Sequence, residues 1–105
     1  MKIKESDGSV VDVFSIYWLG AETYFYGLQA GHGGLQAYRL EEVTIVEREM
    51  NFKTVFFSNG SAHGVNHWAL IQEGLLDDLL ELDKVAYERF ITILKSERVL
   101  SDGFY

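Results

Sequence analysis

No cysteine occurs in the 105 residues, so disulfides, thiolate metal sites and cysteine nucleophiles are excluded. That absence fits a reducing compartment. Basic residues are scarce over long stretches: no Lys or Arg lies between Lys4 and Arg39, nor between Lys53 and Lys84. Nucleic-acid binding draws its affinity from clustered Lys and Arg that neutralise phosphates, and anionic membranes attract the same clusters. Neither partner is expected. The N-terminal MKIKESDGS lacks the apolar core of a secretion signal, and no apolar run approaches the ~18 residues of a membrane span. A soluble cytoplasmic protein is the expectation.

What the chain does have is apolar and acidic. A hydrophobic content of 48% supports one packed core, and the length predicts a single domain over residues 1–105. Sixteen acids against nine bases give a net charge of −7. The partner attracted to such a surface is a cation, either a basic protein or a metal ion.

Residues 1–58 carry strand grammar: short runs of Val, Ile, Tyr and Phe separated by glycine turns. The runs fall at Lys2–Glu5, Val10–Leu19, Thr23–Gln29, Leu35–Tyr38, Val43–Glu47 and Phe52–Ser58. The second is apolar on both faces in part, with Val11, Val13, Tyr17 and Leu19 opposing Phe14, Ile16 and Trp18, as in a strand buried on two sides or curling into a barrel. "AGHGG" (30–34) reads as a hairpin loop, and Asn59-Gly60 as a turn. After Gly64 the period changes. Trp68, Ile71, Leu75, Leu79 and Leu82 share one helical face, with Asn66 as N-cap. Running that helix on to Ser96 would bury Asp83 in an apolar sector, so the spacing predicts a break with Asp83 capping a second helix. Helices thus occupy residues 66–98, and 101–105 form a loose tail. Strands first and helices afterwards predict an α+β domain. The expected form is a strongly bent antiparallel sheet or small open barrel of five to six strands followed by two C-terminal helices.

Two constellations could carry chemistry. His63 and His67 stand four apart, as zinc ligands on one helix face would, with His32 or a carboxylate completing the set. The preferred reading is a turn and a capped helix start, because Gly64 is poor inside a helix and no His-Glu-x-x-His motif is present. The other constellation is acidic. Asp77, Glu81 and Glu88 lie opposite the apolar stripe, Glu73 and Asp78 flank them, and no base intervenes before Lys84. Such a face is either simply solvated or a docking surface for a cationic protein. No motif for a cofactor or a catalytic residue is present.

In general build the chain resembles bacterial toxin immunity proteins of the contact-dependent growth inhibition type. The resemblance covers the strand pattern "YFYGLQAGHGGLQAYRLEEVTIVE" (24–47) and the acidic stretch "EGLLDDLLELD" (73–83). It implies a cytoplasmic, non-enzymatic protein that binds a cognate basic toxin, such as a nuclease domain, and blocks its active site or substrate entry. The competing expectation is a small metal-binding protein or metal-dependent hydrolase using His63 and His67, with His32.

Overall fold

The computed structural model describes residues 1–105. Its strands are β1 (Lys2–Lys4), β2 (Val10–Leu19), β3 (Glu22–Leu28), β4 (Leu35–Arg39), β5 (Thr44–Glu47), β6 (Thr54–Asn59) and β7 (Ala62–His67). The helices are α1 (Trp68–Gln72), α2 (Leu76–Leu80) and α3 (Lys84–Ser96), and a single 3₁₀ turn covers Leu40–Glu42. The protein is α+β, with every strand pair antiparallel in one open sheet.

β2 is the hub. One edge pairs with β3 along its length, and β3 with β4. The other edge forks: Val10–Asp12 pair with β1, whereas Ser15–Leu19 pair with β7. A β-bulge sits at the fork, where the β3 partner steps from Gly27 to Tyr26 while β2 advances from Val13 to Ser15. The extra residue, Phe14, resets the alternation. Val11 and Val13 therefore share a core with Ile16, while Phe14 joins the opposite core against which Tyr26 packs. The expected grouping of Val11 and Val13 with Tyr17, opposite Ile16, therefore fails across this residue.

The sheet must also curl. β4 and β5 end the path β4-β3-β2-β1-β5, a separation of about 19 Å in a flat sheet at ~4.8 Å per strand. Only Leu40–Val43 connect them, mostly as a 3₁₀ turn rising ~2 Å per residue. The connection is too short unless the two edges swing toward each other. The curl encloses a small core of Ile3, Val11, Val13, Phe25 and Tyr38. Burial pushes the Tyr38 hydroxyl up to about 12. The main core lies on the other face, where Phe14 and Leu28 meet Leu70, Leu79, Phe90 and Leu94 from the helices.

The C-terminal third departs from expectation in two places. Residues 62–67, expected as a turn with Asn66 as helix cap, form β7, and the cap is His67, whose Nδ1 accepts from Ala69 N at 3.0 Å. The expected first helix is two helices. Gly74, at φ +66°, follows the last turn of α1 and ends it, and the leucine stripe resumes one turn later in α2. Gly34 lets α2 sit on the sheet, because a Cβ there would lie 2.5 Å from the Leu79 carbonyl oxygen. The break before α3 falls where sequence placed it. Asp83 accepts from Ala86 N at 2.8 Å as the N-cap, so Asp83→Ala is expected to lower stability by about 1 kcal/mol. Urea titration would measure this, and an unchanged midpoint would show the cap to be inert. At the chain end, Phe104 packs on the main core and Gly31 N donates to Tyr105 O at 3.0 Å.

Candidate functional site

The helices cover the sheet at the β4 end and around Phe14. Beyond the bulge, β2, β7 and β6 form a wing on which the successive residues Phe56 and Phe57 are both exposed, on opposite faces. On the helix side it forms a cleft of about 190 Å³ whose lining includes Tyr17, Tyr26, Gly64, Phe57, Leu80 and Asp77. An adjoining hollow of about 220 Å³ shares Phe57, Asn59, Leu76 and Asp77 with it. Asp77 and Leu76 therefore stand on the ridge between two depressions.

Each part of the cleft has a local cause. Tyr17 and Tyr24 are cross-strand partners and stack at 5.0 Å, and Tyr26 stacks on the other side of Tyr17 at 4.4 Å. Burial in this stack, with Tyr26 beside it, pushes the Tyr17 hydroxyl well above its usual range. Deeper in, Ser15 and Asn66 are cross-strand partners, 0% and 5% exposed, and Ser15 Oγ donates to Asn66 Oδ1 at 2.6 Å. On the opposite face of the wing the His63 ring lies 6.0 Å from Trp18 and 6.2 Å from Phe56. Phe56 is 64% exposed, so this face presents aromatic surface to solvent.

The five carboxylates expected to form one docking face are divided. Glu73, at the end of α1, is engaged by Arg89 through two bonds of 2.8 and 2.9 Å. That guanidinium holds the Glu73 carboxyl below its usual range. Glu88 on α3 lies 4.0 Å from Lys84. Asp77 and Asp78 on α2, and Glu81 just after it, are exposed and join no ion pair. The candidate face contracts to these three, with Leu80 and Phe57 exposed beside them.

The zinc arrangement does not form. His63 and His67 lie on β7, where a four-residue spacing separates positions by roughly 13 Å rather than one helical turn. Both nitrogens of His67 are committed: Nδ1 to Ala69 N, and Nε2 donates to Glu97 Oε1 at 2.7 Å. His32 is exposed in the β3–β4 loop, and no group of three His, Asp or Glu side chains is placed to hold a metal ion.

Sequence reasoning named the three free acids and the tyrosines but did not join them. It read the aromatics of β2 and β3 as strand residues, and the acids as a separate helix face. Ser15, Asn66 and Phe57 were not weighed as site residues at all. The tyrosine spacing on two successive strands was the available signal, since it puts Tyr17, Tyr24 and Tyr26 on one face. Comparison with protein-family models, curated proteins and solved structures gave no match. No helix is long and apolar enough to cross a membrane.

Proposed function

We propose that this is a cytoplasmic binding protein that neutralises a basic toxin, a nuclease domain, by docking its acidic α2 face against the toxin's active site or substrate entry. The reading involves no catalysis by this chain. The carrying observation is the group Asp77, Asp78 and Glu81: three exposed carboxylates without a cationic partner, in a chain of net charge −7. A solvated helix needs no such arrangement next to exposed Leu80 and Phe57. Apolar anchors beside unpaired charge are what protein interfaces use, the first for affinity and the second for steering. The resemblance in build to toxin immunity proteins supplies the class of partner, and a nuclease active site is itself cationic because it must hold phosphates.

The test uses the toxin domain encoded directly upstream, if one lies there; a metabolic operon in that position would overturn the reading. With Asp77→Lys, Asp78→Lys and Glu81→Lys combined, affinity for that domain is expected to fall by about tenfold or more. The slope of affinity against salt should flatten with it. Titration calorimetry at three ionic strengths measures both quantities. Unchanged affinity and slope would remove this face from the interface.

A further inference from the structure

We propose that the cleft between α2 and the β2–β3–β7 sheet receives one arginine side chain of a protein partner. The proposal rests on the docking reading and deepens it by naming the group that enters. Size comes first. At about 190 Å³ the cleft is below the ~300–1,000 Å³ typical of small-molecule sites, and matches a single large side chain.

Charge comes next. Asp77 is the one carboxylate among the lining residues, and no Lys or Arg lines the cleft. Phe57, Leu76 and Leu80 offer apolar wall for a methylene stem, with the charged group carried inward or held at the rim. The interior is polar in a way that a plain apolar groove is not. Asn66 is 5% exposed, and the hydroxyl of Ser15 is its one side-chain partner, so one end of the carboxamide is left unpartnered in the cleft lining. Ser15 Oγ donates to Asn66 Oδ1, so the free end in the cleft is Nδ2; a bound guanidinium would turn the carboxamide, with Nδ2 donating to Ser15 Oγ and the oxygen facing the guest. With the carboxamide so turned, its oxygen, the Asp77 carboxylate and the paired hydroxyls of the stacked Tyr17 and Tyr26 are the acceptors that the lining residues offer. A guanidinium, with five N–H donors in a plane, can satisfy such a set. It is also more weakly hydrated than an ammonium, and so enters a half-buried site at lower cost than lysine. One carboxylate with neutral oxygens is a poor metal site and a good guanidinium site.

The probe is N-acetyl-arginine amide, followed by ¹H–¹⁵N correlation spectra, with the lysine and citrulline counterparts as controls. Saturable shifts are expected at Gly64, Asp77 and the Asn66 side-chain amide. The lysine probe should bind several-fold more weakly. The citrulline probe, which keeps the shape and loses the charge, should give no saturable shift. Asp77→Asn, an exposed and near-isosteric change, should weaken arginine binding about tenfold, and its own spectrum reports whether the fold is intact. Equal shifts from citrulline, or shifts spread over Asp78 and Glu81 that persist in Asp77→Asn, would overturn the proposal. The two readings separate cleanly. If the arginine probe does not bind but Asp78→Lys with Glu81→Lys still weakens the toxin-domain complex, the cleft falls and the docking face stands. If the probe binds and those reversals change nothing, the docking face falls and the cleft stands.

Discussion

Gly64→Ala is expected to lower stability by about 3 kcal/mol or more, among the largest losses available to a one-carbon change in this protein. A Cβ at Gly64 would lie 2.4 Å from the Ile16 carbonyl oxygen and 2.8 Å from Tyr17 Cβ, with Tyr17 Cα at 2.9 Å. Two of these three atoms are backbone, and the third is fixed to it. They belong to the central strand, which is held by β3 on its other edge. No side chain can swing away, so β7 must withdraw from β2 and take β6 with it. Gly60, four residues earlier, is the control. Gly60 and Ser61 form the two-residue loop closed by the Asn59–Ala62 pair, and Gly60 alone has positive φ, +62°, which is the pattern of a type II′ turn. A Cβ there meets nothing within 4 Å, so Gly60→Ala carries only the backbone cost of holding an L-residue at positive φ, about 1–3 kcal/mol. Urea unfolding of both variants measures the contrast. Equal midpoints would mean that the wing absorbs a methyl group at Gly64, and that its close approach to β2 is not needed.

The same glycine shows why the sequence was a good guide to most strands and a poor one to β7. β1 to β6 carry β-branched and aromatic residues bounded by turn residues, and all six form where that pattern places them, within a residue or two at each end. "AHGVNH" has one β-branched residue. It is a strand because β2 and β6 supply a ladder on both sides, a tertiary preference that outweighs local propensity. Its small residues, which argue against a strand in isolation, are what the close packing on β2 requires. The bulge at Phe14 had no local signal either, since it is visible only as a slip against β3. Gly74 was a signal, masked by a leucine stripe that continues across it. The site divides along the same line. Which residues are acidic is written in the sequence. Which stay unpaired is not, because Arg89 reaches Glu73 from a different helix, sixteen positions away.

Loss of the His67 side chain in His67→Ala is expected to cost about 3 kcal/mol, close to that of Gly64→Ala but from the opposite cause. The ring is fully buried among Phe14, Phe52 and Phe90. It ties three elements together: it caps α1 through Nδ1 and, at the end of α3, reaches Glu97, whose second oxygen accepts from Trp68 Nε1 at 2.6 Å. Alanine leaves a cavity and an unsatisfied Ala69 N–H. His67→Asn divides the two contributions, since asparagine is a good N-cap but is too short to reach Glu97, and its loss should be intermediate.

The bonding pattern also fixes the charge. With Nδ1 accepting and Nε2 donating, the imidazole is neutral; burial lowers its proton affinity, and the Glu97 carboxylate offsets this only in part. In the unfolded chain the ring titrates near 6.5. Above that pH neither state is protonated and the contribution of His67 is fully present. As pH falls below 6.5, the unfolded chain takes up a proton that the folded protein refuses, and stability drops until the lower folded value is reached. Unfolding measured at pH 7.5 and 5.5 should show this loss in the wild type and a smaller one in His67→Asn. The difference between the two slopes is the contribution of this one histidine. Equal slopes would mean that His67 stays as readily protonated folded as unfolded, and would reopen the metal-binding reading that its committed nitrogens exclude.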